Sequence, residues 1–173
     1  MEGKATIYLW TGHGWGKTTS ALGAAMRAMG HGYKVVIVQF MKGWGEKVGE
    51  YRIRKKLGRL YSITQFGREE WIDLKRPSEE DKKLAHAGLD YARKAAKKKP
   101  FMLILDEINL AVAIGLLDIN EVLKFLDEIP PETTVYMTGR NAPAGLIKRA
   151  DYVNEITMLK GPKNLEGKKG IDY

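Results

Sequence analysis

The stretch Thr11-Gly-His-Gly-Trp-Gly-Lys-Thr18 lies between an apolar run over residues 5–10 and a helical apolar pattern over residues 17–29. A buried strand, a loop ending in Gly-Lys-Thr and a helix, in this order, are the context that a phosphate-binding P-loop requires. The glycines allow successive backbone N–H groups to face inward, where the positive end of the helix dipole also points. The sequence therefore predicts a nucleotide site, and a glycine-rich turn without a ligand is the disfavoured alternative.

Two side chains of this loop are expected to act on the nucleotide directly. Lys17 brings a positive charge to the phosphates, and the hydroxyl of Thr18 is a ligand for Mg²⁺. The general pattern G-x-x-x-x-G-K-[ST] begins with glycine, whereas this chain has Thr11 at that position.

The composition limits the class of protein. With 173 residues and 44% apolar residues, the chain is expected to form one soluble domain over residues 1–173. No apolar run approaches the roughly 20 residues that cross a bilayer, and the N-terminus is expected to carry no signal peptide, so no membrane partner is predicted. The chain has no cysteine, which excludes disulfides and thiolate metal sites and favours a cytoplasmic location.

The chain is basic, with a net charge of +8. This charge is typical of a lysine-rich surface, of a protein that binds an anion such as a nucleoside triphosphate, or of one that binds nucleic acid. The cluster over residues 94–99 follows a predicted helix, whose C-terminal dipole favours cations in any case. Nucleic acid is therefore the disfavoured partner.

Predicted strands and helices alternate along the chain, which indicates an α/β fold: a P-loop NTPase-like, RecA-like, mostly parallel sheet with helices on both faces. Residues 67–78 have no clear period and are interpreted as a functional loop. The basic tail over residues 159–173 is expected to be mobile or to fold over a ligand. Strands are predicted over 5–10, 35–40, 60–66, 101–105, 133–138 and 152–157, and helices over 17–29, 46–57, 78–98, 118–129 and 144–149.

The strand over residues 101–105 ends in Asp106 and Glu107. In a parallel sheet this brings two carboxylates to the same edge as the P-loop, in a Walker B arrangement with one acid near Mg²⁺, directly or through water. An ordinary acidic cap of the following helix is the alternative.

Four further motifs stand in order after the P-loop: VQFMKG over residues 38–43, ILDEIN over 104–109, TGRNAP over 138–143 and the terminal GIDY over 170–173. Together with the P-loop stretch they closely resemble the P-loop type of ATP:corrinoid adenosyltransferase. The resemblance covers nearly the whole chain. It also accounts for Thr11, because that family has threonine where other P-loops have glycine.

The resemblance implies a reaction in which Co(I) of cobalamin or a corrinoid precursor attacks the 5′ carbon of ATP and triphosphate leaves. It implies ATP, Mg²⁺ or Mn²⁺ and a corrinoid co-substrate, an electron-donating reductase or flavodoxin as a partner, and a homodimer. Lys17, Thr18 and Glu107 are the implied catalytic residues, and Thr18, Asp106 and Glu107 the implied metal site. A divergent paralogue that binds nucleotide or corrinoid, and a RecA-like ATPase acting on nucleic acid, remain the alternatives.

The chain departs from the family pattern at three places. Trp15 replaces a lysine of the P-loop, a loss that Lys42 or Arg140 would compensate. The family's Phe-x-Trp pair, which displaces the lower cobalt ligand, corresponds here to Phe66 and Trp71, five residues apart, and Phe66 is equally interpreted as core. The tail after the last strand is shortened. The implied ATP site comprises Thr11, Gly12, His13, Gly14, Trp15, Gly16, Lys17, Thr18, Thr19, Lys42 and Arg140, and the implied corrinoid site comprises Phe66, Trp71 and Asn109.

Overall fold

The computed structural model describes residues 3–162, 164 and 166–173, so Lys163 of the basic tail lies outside the described residues. Six strands form one sheet in the order β3-β2-β4-β5-β1-β6, and every pairing between them is parallel. The predicted α/β class with a parallel sheet is confirmed. The strands are β1 Ile7–Thr11, β2 Val35–Phe40, β3 Tyr61–Phe66, β4 Met102–Asp106, β5 Thr134–Thr138 and β6 Tyr152–Glu155.

The helices follow the predicted alternation except after β2. There the single helix predicted over residues 46–57 is replaced by a 3-10 turn over Gly45–Lys47 and two one-turn helices, because Val48 adopts an extended conformation that interrupts the ladder. None of the helices among the described residues is long and apolar enough to cross a membrane. The helices are α1 Lys17–Gly30, α2 Gly49–Arg52, α3 Arg54–Leu57, α4 Glu79–Ala96, α5 Ile108–Ala113, α6 Ile119–Glu128 and α7 Ala144–Arg149.

The strands are buried on both faces, as their continuous apolar runs require. In β2, Val36, Val38 and Phe40 belong to the core that packs against α4, α5 and α6. Val35 and Ile37 point the other way, into the core beneath α1. Helices therefore cover both faces, as predicted.

Side-chain caps fix where two of the helices begin. The hydroxyl of Ser78 accepts a hydrogen bond from the backbone N–H of Asp81, and the Asp81 carboxylate accepts one from the backbone N–H of Ser78. Asp118 caps α6 by accepting from the backbone N–H groups of Asn120 and Glu121. Both starts agree with the sequence prediction, since short polar side chains satisfy the free N–H groups of a first helical turn.

Because all strands run parallel, their carboxyl ends meet at one edge of the sheet, where open α/β sheets bind ligands. The P-loop follows β1, the loop with Lys42 follows β2, Asp106 ends β4 and Arg140 follows β5. The fold thus gathers most of the predicted ATP and metal residues at that edge.

A glycine of α4 allows that helix to approach the sheet closely beside this edge. A Cβ atom at Gly88 would lie 2.9 Å from Cε1 of Phe40. We therefore expect Gly88→Val to lower the free energy of unfolding by about 1–3 kcal/mol through overpacking, measured by urea denaturation. Gly23 of α1 is the matched control, because a Cβ there meets no atom within 4 Å. Gly23→Val should change the free energy of unfolding by no more than about 0.5 kcal/mol, and equal losses in both variants would contradict the packing argument.

Candidate active site

The P-loop lies directly against the end of β6. The N–H of Gly14 donates to the carbonyl oxygen of Ile156 at 2.7 Å, and the N–H of Ile156 donates to the carbonyl oxygen of Thr11 at 2.9 Å. A Cβ at Gly14 would lie only 2.7 Å from the same Ile156 oxygen, and a Cβ at Gly12 would overlap it. Gly12 and Gly16 also have φ angles of 90° and 101°, in the left-handed region that favours glycine. The glycines are therefore required by the fold as well as by a phosphate ligand.

Thr11 has a structural reason to differ from the glycine of other P-loops. Its hydroxyl oxygen accepts a hydrogen bond from the backbone N–H of Ala142 at 3.2 Å. Ala142 belongs to the TGRNAP segment after β5. The side chain at this position thus ties the start of the P-loop to the neighbouring loop, a contact that the motif did not reveal.

Lys17 is buried at the start of α1, and its ammonium donates to the carbonyl of Gly14 within the loop. Burial lowers the pKa of Lys17, and the nearby Arg140 lowers it further, while Glu107 and Asp106 oppose the shift. The lysine is therefore held inside the cradle that its predicted role requires, in the field of both Walker B carboxylates.

Asp106 is the centre of the hydrogen bonds at this edge. One carboxylate oxygen accepts from the hydroxyls of Thr18 at 2.7 Å and Thr138 at 2.6 Å. The other accepts from Nε2 of Gln39 at 3.0 Å and Nζ of Lys42 at 2.7 Å. Burial works to raise the pKa of Asp106, but the charge and hydrogen bond of Lys42 and the two hydroxyls outweigh it, so the net pKa is lowered and the group is ionised.

Glu107 begins α5 in a left-handed conformation, with φ at 66°. Its backbone N–H donates to the hydroxyl of Thr138 at 3.0 Å. Its Oε2 atom is buried and has no hydrogen-bond partner among the described residues. Burial and the negative charge of Asp106 raise the pKa of Glu107, although Lys42, Lys17 and Arg140 act in the opposite direction.

The residues that could hold a divalent cation are oxygen donors. Thr18, Asp106 and Glu107 offer a hydroxyl and two carboxylates, the donor set that suits Mg²⁺ or Mn²⁺, and the unpartnered Oε2 of Glu107 is a free ligand atom. Asp106 already accepts four hydrogen bonds, so its contact with a metal would pass through water. Within residues 3–162, 164 and 166–173 there is no group of three or more His, Cys, Asp or Glu side chains that could hold a metal ion. Phosphate oxygens and water would therefore have to complete the coordination.

Two cavities adjoin this charged centre. The larger, about 520 Å³, lies beside α1 and combines an apolar wall with Thr18, Thr19, Lys42 and Glu50. The terminal residues 170–173 form another of its walls. The smaller, about 200 Å³, is lined by Trp44, Trp71, Lys42, Glu107 and Arg140, among others. Lys42 lines both cavities, so they meet at the ion pair that it makes with Asp106.

The predicted aromatic pair is only partly found at the site. Trp71 is 84% exposed and lines the smaller cavity, with its ring 5.1 Å from that of Trp44. Phe66 does not line that cavity; it packs on the core, with its ring 5.4 Å from that of Tyr91 in α4. These contacts favour the core interpretation of Phe66. Trp44, which the sequence analysis did not select, is the aromatic partner of Trp71, and its position just after the VQFMKG motif was the available signal.

Asn109 is placed differently from its implied role. The residue is fully buried, and its amide donates to the carbonyl oxygens of Trp10 at 3.1 Å and Gly139 at 3.3 Å. It lines neither of the two cavities. This burial argues against direct contact with a corrinoid, and Asn109 instead links the ends of β1 and β5.

The remaining predicted ATP residues lie around the P-loop at different depths. Arg140 is exposed and lines the smaller cavity, and Thr19 lines the larger one. His13 is exposed, and Trp15 is 46% exposed beside Met158 and Lys160 of the tail. The loop therefore turns Trp15 outward, where a lysine of the family pattern would stand.

Comparisons with known proteins agree with this geometry. The family model of ATP:corrinoid adenosyltransferase BtuR/CobO/CobP matches residues 3–173. The corrinoid adenosyltransferase of Escherichia coli (strain K12) is 34% identical, with 100% of this chain and 88% of that protein covered. The corrinoid adenosyltransferase CobA of Salmonella typhimurium (strain LT2) is also 34% identical, with the same coverage of both chains. Among solved structures, the flagellar accessory protein FlaH of Methanocaldococcus jannaschii has a TM-score of 0.57 at 12% identity, covering 95% of this chain and 76% of its own, a likeness of fold alone.

The raised pKa of Glu107 has a consequence for stability. In the pH range between its ordinary value of 4.5 and its higher folded value, the folded state binds more protons than the unfolded state, so stability falls as the pH rises. Glu107→Gln removes this penalty and should raise the free energy of unfolding at pH 7, but not below pH 4.5. Urea denaturation of both proteins across this pH range measures the difference. A gain that is independent of pH would show that the charge of Glu107 is not its cause.

Proposed function

The chain belongs to the ATP:corrinoid adenosyltransferase family, and we propose that its site transfers the 5′-deoxyadenosyl group of ATP to Co(I) of cobalamin or a corrinoid precursor. In this reaction the bond between the 5′ carbon and the triphosphate oxygen breaks and a bond from that carbon to cobalt forms. The observation that carries the proposal is the meeting of the two cavities at Lys42, between the P-loop and the aromatic pair of Trp44 and Trp71.

The P-loop is proposed to bind a leaving group rather than a phosphoryl group in transfer. Negative charge develops on the triphosphate as the bond to the 5′ carbon breaks. Lys17 and the N-terminus of α1 are placed to stabilise this charge, and their burial strengthens the effect. Because the reduced cobalt is itself the nucleophile, the site needs no general base.

A divalent cation, Mg²⁺ or Mn²⁺, is proposed to be held with the triphosphate by Thr18 and Glu107, with Asp106 in contact through water. When bound, it would neutralise negative charge on the phosphates. Glu107 would supply its unpartnered Oε2 atom, and the hydroxyl of Thr18 would exchange its hydrogen bond to Asp106 for the metal.

The corrinoid is proposed to cover the smaller cavity. Trp44 and Trp71 offer aromatic surface to its broad apolar face, and Arg140 at the rim offers a cation to its polar side chains or to the phosphates. A corrinoid is much larger than a cavity of about 200 Å³, so most of it would lie outside. This geometry leaves an open side for electron delivery. The reductase or flavodoxin, the homodimer and the cytoplasmic location also belong to the proposal and rest on the family resemblance and, for the location, on the absence of cysteine.

Lys17→Ala tests the role of the P-loop. The variant removes the central cation from the triphosphate, so we expect kcat/KM to fall by on the order of 10²-fold or more. The assay is anaerobic, with chemically reduced cobalamin, ATP and Mg²⁺, and follows both triphosphate and the adenosylated corrinoid. Lys97→Ala, at the exposed end of α4, is the control and should behave like the parent. Near-normal kinetics of Lys17→Ala would refute the assignment, and release of ADP and phosphate would indicate an ordinary ATPase instead.

Trp71→Ala tests the aromatic side of the site. An aromatic ring that displaces the axial ligand makes cobalt easier to reduce, so the variant should lose activity when the reaction starts from Co(II) with a biological reductant. It should lose much less when Co(I) is generated chemically beforehand. Because Trp71 is 84% exposed, its free energy of unfolding should change by no more than about 0.5 kcal/mol.

Phe66→Ala separates this role from core packing. From its contacts with Tyr91 and the core, we expect it to lower the free energy of unfolding by about 2 kcal/mol. Equal losses in the Co(II) and Co(I) assays for Trp71→Ala would show that Trp71 does not act on the reduction step.

A further inference from the structure

A row of three side chains crosses the sheet at the active-site edge. In the strand register Gln39 of β2 lies opposite Gln65 of β3 on one side and opposite Asp106 of β4 on the other. Nε2 of Gln39 donates to Asp106 at 3.0 Å and to Glu50 at 3.2 Å. Its Oε1 accepts from Nε2 of Gln65 at 2.8 Å, and Oε1 of Gln65 accepts from the backbone N–H of Gly45 at 2.7 Å.

The direction of these hydrogen bonds is set by the charges at one end. Both amide hydrogens of Gln39 face carboxylates, those of Asp106 and Glu50. The reversed amide would bring its oxygen against two negative groups and leave a buried NH₂ without an acceptor. Gln39 is 0% exposed, so such a loss would carry the full desolvation penalty. The carboxylate of Asp106 therefore fixes the amide of Gln39, and that amide in turn fixes Gln65.

The two ends of the row lie on different sides of the site. At one end, Asp106 also binds Thr18 of the P-loop helix and Lys42. At the other end, Gly45 follows Trp44, whose ring meets Trp71 in the smaller cavity. The row is thus a continuous path of buried or half-buried hydrogen bonds between the predicted metal and phosphate side and the aromatic side.

We propose that Gln39 and Gln65 are positioning residues that couple the two sides. They hold the loop over residues 43–47 in a place that depends on the hydrogen bonds of Asp106. When a metal and ATP draw Thr18 away from Asp106, the amide row transmits the change to Gly45 and Trp44. Such a coupling is reciprocal, so occupation of the aromatic side alters metal and nucleotide binding by the same factor. The inference rests on the proposed function of the site.

The first test uses Gln65, which does not touch Asp106 itself. Gln39→Met should raise the Mg²⁺ concentration for half-maximal adenosyl transfer by about tenfold, the usual effect of losing a partner of a metal-site carboxylate. Gln65→Met should raise it in the same direction by a smaller factor. The double variant should be no worse than Gln39→Met alone, because both changes break one path.

Thr64→Val is the matched control. Thr64 is the neighbour of Gln65 in β3 and points to the opposite face of the strand, where it has no side-chain hydrogen bond within the described part of the chain. This variant should leave the Mg²⁺ requirement unchanged. If Gln65→Met behaves like Thr64→Val, the coupling is refuted, and additive effects of the two glutamine variants would refute it as well.

The second test needs neither turnover nor a stable variant. The amide resonances of Gly14 and Gly45 are followed in the parent protein while Mg²⁺ and ATP are added. Gly14 lies in the P-loop and reports binding, whereas Gly45 reports the far end of the row. We expect both resonances to shift together, and in Gln65→Met only that of Gly14. Movement of Gly14 without Gly45 in the parent would overturn the coupling, and an unmoved Gly14 would overturn the proposed nucleotide site itself.

Discussion

The buried carboxylate of Asp106 is the interaction on which the active-site edge depends. It is 1% exposed, and an ionised group in such a place is stable only when its lone pairs are satisfied. Its four hydrogen bonds come from α1, from β2, from the loop after β2 and from β5, through Thr18, Gln39, Lys42 and Thr138. One charge therefore fixes the relative positions of the elements that carry the P-loop, the Walker B residues and the cavity walls.

The same arrangement separates the chemistry of two adjacent acids. Asp106 is ionised because cations and hydroxyls surround it, whereas its charge and burial raise the pKa of the neighbouring Glu107. Two titratable groups whose environments move their pKa values apart are typical of functional sites. Asp106 is accordingly committed to structure, while Glu107 keeps a free oxygen for a ligand.

The sequence could predict what depends on local pattern. Strand and helix order, the caps at Ser78 and Asp118 and the P-loop follow from periodicity and from short-range hydrogen bonding, and all appear in the structure. The role of Gln39 depends on which residues stand opposite it in two neighbouring strands, and strand order is a tertiary property. Trp44 was missed for the same reason, since its meeting with Trp71 joins two separate loops.

The proposed reaction places a strict demand on the junction between the cavities. The 5′ carbon of ATP and the cobalt must come within bonding distance, so the nucleotide and the corrinoid must meet where the two cavities do. Lys42 lines both, and its ammonium is held there by Asp106 at 2.7 Å. A fixed cation at that point attracts the phosphate next to the 5′ carbon and withdraws charge from the bond that breaks. The buried ion pair thus serves packing and chemistry together, which explains why a costly charge is retained at the edge of the sheet.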